Sequence, residues 1–311
     1  MIRLDFRNCA RSLVVATVML STWNTQAVFA QQAKFFATPE QAVQALHAAG
    51  QLADQSAIFD VLGGDAKEWV LSGDAVQDEQ ARERFVAAYD QKNTIEKQDE
   101  DTAVLVIGED KFPFPIPIVR WEQGWSFDAE LGKEEILNRR IGRNELHTIQ
   151  VLRAIVDAQD DYASVDRNDD GIVEYASRFR SSPGQKNGLY WPVEDGEEPS
   201  PIGALVADAV REGYEASGSD YVTVPFHGYH FRILSSQGTS ASGGAFDYFQ
   251  KGKMIGGFAV IAYPTKYGVS GFKTFLVNHD GVVYERDLGD NTLSAVGSIK
   301  MFDPDDRWDK S

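Results

Sequence analysis

Cysteine is almost missing. Cys9 is the only one in 311 residues, so no disulfide can form within the chain. Long apolar runs are missing too. The stretch Leu13-Val14-Val15-Ala16-Thr17-Val18-Met19-Leu20 is far shorter than the roughly 20 residues of a spanning helix. Basic residues are scarce, with 30 Lys+Arg against 47 Asp+Glu and a formal charge of −17. Such a balance excludes nucleic acid and anionic membrane surfaces as general partners, because both need an extended basic face. No Gly-x-Ser-x-Gly elbow, phosphate-binding loop or dinucleotide fingerprint occurs.

What is there begins with an export signal. Arg3, Arg7 and Arg11 precede the short apolar run, and Ala27-Val28-Phe29-Ala30-Gln31 supplies small residues for cleavage after Ala30. This is the layout of a secretory signal peptide, and it predicts a periplasmic or secreted protein. Arg3 and Arg7 are not adjacent, which argues against twin-arginine export. Cys9 lies on the wrong side of the cut for lipid attachment, and cleavage removes it along with any thiol chemistry. Residues 1–30 hold three Arg and one Asp, so the mature part carries 27 basic and 46 acidic residues and a charge of −19. A mature chain of about 280 residues can bury enough apolar surface to fold without disulfides.

The pattern after the signal predicts an α+β fold in two parts, 31–132 and 133–300, with an acidic tail at 301–311. In the first part Thr38-Pro39-Glu40-Gln41 reads as a helix start with a capping box. Ile58, Phe59 and Leu62 mark a second helix ended by Gly63-Gly64. A third covers about Asp78 to Gln91. Thr102 to Ile107 is a strand. Lys111 to Trp121 carries Pro113, Pro115 and Pro117 on one side, which predicts an edge strand. After the Glu122-Gln123-Gly124 turn, Trp125 to Asp128 returns. In the second part, apolar residues from Ile136 to Tyr162 keep helical spacing over about 133–163. A shorter helix spans Ile202 to Tyr214. Four strands follow at about Gly228–Leu234, Gly257–Tyr263, Phe272–Asn278 and Val282–Arg286. The Ser/Gly-rich tract from Ser235 to Gly244 reads as a mobile loop.

Several dispersed motifs are familiar together. Ile141-Gly-Arg-Asn-Glu145, Tyr162-Ala-Ser-Val-Asp166, Glu174-Tyr175-Ala176, Gly188-Leu-Tyr-Trp191, His227-Gly-Tyr229, Phe231-Arg-Ile-Leu234 and Asp280-Gly-Val-Val-Tyr284 resemble a bacterial exported family catalogued as domain of unknown function 2950. The likeness covers nearly the whole mature chain and implies no catalytic residue. The helices and hairpin of residues 38–130, ending in Trp121-x-x-x-Trp125-x-Phe127-Asp128, resemble nuclear transport factor 2-like (cystatin-like) domains. That resemblance implies a curved sheet around helices and a pocket. The later half resembles type IV pilin-like globular domains, a helix packed on an antiparallel sheet. It departs from pilins in the heavily charged stretch from Lys133 to Arg143 and in lacking a processing site.

The sharpest local motif is Asp166-x-Asn168-x-Asp170-Gly171-x-x-Glu174. Oxygen donors at alternate loop positions, with a glycine for the turn, suit calcium. Ser177 stands where the last bidentate acid belongs, so Asp166, Asn168, Asp170 and Glu174 would form an incomplete set. The same residue types also make a plain polar turn. His227 and His230 point to opposite faces if they share a strand, and His47 sits on a helix face. Ser270-Gly-Phe-Lys273 lacks the companion motifs of penicillin-recognising enzymes. Trp121, Trp125, Tyr190 and Trp191 suit a sugar or peptide groove and suit core packing equally. The expectation is a non-enzymatic binding or envelope-associated protein, with an envelope protein or ligand as partner. The alternatives are a hydrolase using carboxylates such as Asp128 and Glu130, or a calcium-stabilised structural module. Calcium is the only cofactor candidate.

Overall fold

The computed structural model describes residues 33–168, 170–194, 196–214 and 225–311. The export signal lies outside them. Helix α1 (Pro39–Gln51) starts where Thr38 Oγ1 accepts the Gln41 N–H at 3.4 Å. Gln41 reaches back one residue further than a standard capping box, accepting from the Ala37 N–H at 3.2 Å. Asp54 caps α2 (Gln55–Leu62), and Gly63 at φ +97° ends it. A single turn, α3 (Lys67–Val70), leads to α4 (Ala75–Gln91). Helix α4 begins three residues earlier than its apolar spacing predicts, because Asp74 caps it by accepting the Gln77 N–H at 3.1 Å.

Five antiparallel strands follow: β1 (Asn93–Lys97), β2 (Thr102–Ile107), β3 (Phe112–Pro113), β4 (Ile118–Trp121) and β5 (Gly124–Phe127), in the order β1-β2-β4-β5 with β3 also on β2. Ala103, Leu105 and Ile107 alternate into the core with Ile118 and Phe127. The Pro-rich stretch is an edge strand only at β3, which carries Pro113 and pairs with β2 alone. Pro115 and Pro117 lie between β3 and β4, and β4 is interior, paired with β2 on one side and β5 on the other. Strand β5 lies at the end of the order, where Phe36 covers it through paired backbone bonds to Trp125.

Helix α5 (Ala129–Ala163) is 35 residues long, about 50 Å. It starts before the charged stretch because Asp128 caps it, accepting the Leu131 N–H at 3.2 Å. Its first turns lie against the Pro-rich segment. A Cβ at Gly132 would stand 2.7 Å from the Pro115 carbonyl, so only glycine fits there. Ile136 and Leu137 pack on the first core. Val151, Leu152, Ile155, Ala158 and Tyr162 belong to a second core. One helix therefore serves two hydrophobic centres.

The second centre is built on the sheet β14-β13-β12-β11-β6, entirely antiparallel: β6 (Tyr229–Leu234), β11 (Ala259–Pro264), β12 (Lys273–Asn278), β13 (Tyr284–Asp287) and β14 (Asp309–Lys310). Two small hairpins join β7 (Ser236–Gln237) to β8 (Phe246–Asp247) and β9 (Phe249–Gln250) to β10 (Lys253–Met254). Strands β11 and β12 are buried at nearly every position, as central strands covered on both faces must be. Helix α5 packs on both strands, and α7 (Thr292–Ser298) packs on β11. Helix α6 (Gly203–Arg211) adds Val206 to this core.

Two expectations are corrected here. The Ser/Gly-rich tract is folded around Gln237, whose amide donates to the Ser242 and Gly244 carbonyls at 2.6 and 2.7 Å. Residues 301–311 are not a tail. Phe302 is 2 % exposed in the core, and β14 pairs with β13.

Candidate functional site

Between the helices and strands of the first module lies an apolar cleft of about 530 Å³. That is within the ~300–1,000 Å³ range of small-molecule sites. Its walls come from α1, α2, α4, the Pro-rich segment and the start of α5, and include Leu46, Ile58, Phe85, Phe112, Phe114 and Ile136. Phe85 and Phe114 are half-buried, and Phe112 is 45 % exposed.

Five arginines line this cleft, Arg82 and Arg84 from α4 and Arg139, Arg140 and Arg143 from α5, against the acids Asp78 and Glu79. Arg82 is already engaged, donating to the Gly50 carbonyl at 2.6 Å and to Glu79. Arg140 donates to the Trp69 and Val70 carbonyls at 2.8 and 2.6 Å. It closes the end of α3, where carbonyls lack helical partners. Burial holds its guanidinium below the usual arginine value, and the neighbouring Arg143 adds to this. Arg84 has an exposed side chain, yet burial of its head by the cleft and the charge of Arg143 lower it in the same direction. Arg139 lies over the Phe112 ring at 4.6 Å, and its Nη1 is buried without a partner. Arg143 makes no hydrogen bond or ion pair among the described residues. Burial raises Asp78 above the usual carboxylate range, against two bonds from the Ser72 N–H.

Behind the cleft a buried polar seam joins the two modules. Gln77 donates to Asn144 Oδ1 at 2.7 Å, and Asn144 donates to the Ser270 carbonyl at 2.9 Å. Asp74, 1 % exposed, accepts from the Tyr214 hydroxyl at 2.8 Å and the Gly228 N–H at 3.0 Å. Burial, then the Asp74 charge, pushes the Tyr214 hydroxyl far above its usual value. Beside it His227, at φ +48°, packs on His147 with ring centroids 4.7 Å apart and lies 3.2 Å from Glu212. Burial, then His147, lowers His227 to about 4. The ring is therefore neutral at pH 7, and a proton on Nε2 lets it donate to Glu212.

Of the residues singled out in the sequence, Asp166, Asn168, Asp170 and Glu174 lie together in one loop, and the others are dispersed. Asp166 accepts backbone N–H groups of Asn168, Asp170 and Gly171, and Asn168 donates to Glu174 at 3.0 Å. Lys253 bonds Asp170 and lies 3.7 Å from Glu174. No cluster of three acids or histidines able to hold a metal occurs among the described residues, which do not include Asp169. His227 precedes β6 in a turn, while His230 lies within that strand. His47 stacks on Tyr89 and lies 2.8 Å from Asp90, outside the cleft lining. Ser270 is buried and bonded to the Lys266 backbone, and Lys273 pairs with Glu285. Trp125 and Trp191 are each in a separate core, and Trp121 is exposed. Asp128 caps α5, and the exposed Glu130 pairs with Lys133.

A family model described as "Protein of unknown function (DUF2950)" matches residues 33–311. The chain belongs to that family. No curated protein and no solved structure matches it. The DUF2950 match takes in both modules and α5, so the cleft and the seam lie wholly within the family's span. No helix among the described residues is long and apolar enough to cross a membrane. Sequence reasoning passed over the cleft arginines. The available signal was Arg139, Arg140 and Arg143 at helical spacing in an acidic chain, which places them on one face.

Proposed function

We propose that this chain is an exported, non-enzymatic binding protein whose first module holds a ligand in the Arg-lined cleft. The observation that carries the reading is the cleft itself: apolar walls, an arginine mouth and about 530 Å³ of space. Apolar cavities of this size with a few polar groups are the usual form of ligand sites. Its two lining acids are occupied, Glu79 by Arg82 and Asp78 by the Ser72 N–H, which leaves no paired general acid and base. The secretory-signal pattern of residues 1–30 supports a place in the periplasm or outside the cell. The cystatin-like and pilin-like resemblances belong to the same proposal, supported by helices against one antiparallel sheet and a long helix on another. Calcium at Asp166, Asn168, Asp170 and Glu174 is a secondary proposal, and it requires Lys253 to leave two of those acids.

The test is a titration with the neutral dye N-phenylnaphthylamine, whose fluorescence rises in apolar sites. The mature protein should give a saturable one-to-one rise. Ala81→Trp, on the exposed side of α4 yet lining the cleft, should abolish it with an unchanged melting temperature. No saturable signal from the wild type, or an unchanged signal from Ala81→Trp, contradicts the reading. Turnover of any ester or glycan substrate that is lost in Asp78→Asn contradicts the non-enzymatic part.

A further inference from the structure

The chain carries far more acid than base, yet five arginines meet at one apolar cleft. Arginine stems do cover apolar surface while their heads stay in water. That accounts for the stems here but not for the placement of the heads. Arg143 is close enough to both Arg84 and Arg140 to disfavour their charge. Like charges gathered beside low-dielectric walls cost free energy unless an anion offsets them. The carboxylates within reach do so only in part: Asp78 favours the Arg140 charge, Glu212 favours that of Arg84, and Glu135 bonds Arg139. Arg84 has only Gln80 Oε1 at 3.3 Å and no carboxylate within ion-pair distance among the described residues. Arg143 has no hydrogen bond or ion pair there, and Arg139, bonded to Glu135 through Nε, keeps its Nη1 buried without a partner. A guanidinium fork is the side-chain group that best matches a carboxylate or a phosphate.

We infer that the ligand is an anionic amphiphile, with one apolar tail in the cleft and an oxyanion head held by Arg84 and Arg143. This rests on the reading of the cleft as a ligand site. Arg140 fixes the position of α5 against α3 through its two carbonyl bonds and lends charge rather than a free fork. The tail lies along Phe85, Phe114 and Ile136, and the exposed face of Phe112 extends the apolar track beneath Arg139. A cationic amphiphile meets repulsion at the mouth. A neutral one gains only the tail contacts.

The experiment is displacement of N-phenylnaphthylamine from the mature protein by four single-chain probes with the same dodecyl length: dodecanoate, monododecyl phosphate, dodecanol and dodecyltrimethylammonium, all below micelle-forming concentration. The two anions should displace the dye at least about tenfold more tightly than dodecanol, equivalent to one charge-assisted contact. The cation should be the weakest. Arg84→Gln with Arg143→Gln should erase the preference for anions, while dodecanol and the dye bind as before. Added salt should shrink the preference in the wild type and not in the variant. Whichever anion binds more tightly identifies the head as carboxylate or phosphate, and either result supports the inference. Dodecanol equal to both anions, or a preference that survives the double substitution, overturns the inference and leaves the cleft reading intact. Failure of every probe and of the dye overturns the cleft reading itself.

Discussion

The two modules share one helix but use it differently. In the second, α5 presents Val151, Leu152, Ile155 and Ala158 to a sheet whose centre is buried on both sides. In the first, the same helix packs Ile136 and Leu137 on the core and brings Arg139, Arg140 and Arg143 to the cleft. The aromatics differ accordingly. Tyr229, Tyr248, Phe258, Phe275 and Phe302 of the second module are fully buried, whereas Phe85, Phe112 and Phe114 of the first keep an open face. A core that closes gives stability, and one kept apart by charged side chains leaves space. The first module gives up packing where the cleft runs, and the buried seam ties it to the better-packed half. Hydrogen bonds to a charged acceptor such as Asp74 contribute about 1.5–3 kcal/mol each.

The sharpest way to break this contrast is a matched pair of truncations. Phe275→Ala in the closed core should cost about 3–5 kcal/mol in denaturant unfolding, the usual range for a buried Phe. Phe112→Ala, on the cleft, should cost under about 1 kcal/mol, because that ring is already nearly half exposed, and should weaken dye binding. Equal costs would mean that the cleft is as tightly packed as the sheet.

The seam gives a pH signature of the second-largest size. His227 in the folded protein is lowered from 6.5 to about 4, first by burial and then by His147, with Asp74 opposing. Tyr214 and Glu212 complete its surroundings. The unfolded chain binds a proton near pH 6.5 that the folded chain refuses until about pH 4. Stability from this group is therefore complete above the unfolded value and falls as the pH drops through that window, by up to about 3 kcal/mol. Asn tolerates the positive φ at this position. His227→Asn should melt with a smaller loss between pH 7 and pH 4.5 than the wild type, by on the order of 2 kcal/mol. An identical pH profile would show that the ring does not titrate out of this range.

Much of the scaffold was legible in the sequence. The apolar spacing from Ile136 to Tyr162 marked α5, and the four late strands were visible as apolar runs between turns. Helix starts moved because their caps, Asp74 and Asp128, are acids that also read as surface or catalytic groups. The Pro-rich edge strand was read too far, into interior β4, because position within a sheet depends on strand order. That order is set by which later strand returns, here β5, and one strand's composition does not contain it. The site was not legible for a related reason. Arg84 and Arg143 are about sixty residues apart in the chain, and each alone looks like an ordinary exposed charge. Only the fold, which brings α4 and α5 to one cleft, makes them neighbours. Conversely, the loop from Asp166 to Glu174 was conspicuous because its residues are local, although backbone N–H groups and Lys253 already engage its acids.

That loop gives the smallest expected effect. Lys253→Met should shift stability by less than about 1 kcal/mol, as for other partly exposed ion pairs. If the calcium proposal holds, adding calcium should raise the melting temperature of Lys253→Met more than that of the wild type. No response to calcium or chelator in either protein removes the proposal.

The central claim is that the first module is the working half and the second its support. Hydrogen exchange of the mature protein with and without dodecanoate tests this most directly. The account predicts added protection in α4, in the first turns of α5 and around Phe112 to Ile116, with β11 and β12 unchanged. Protection that rises in the second sheet, or nowhere, would contradict it.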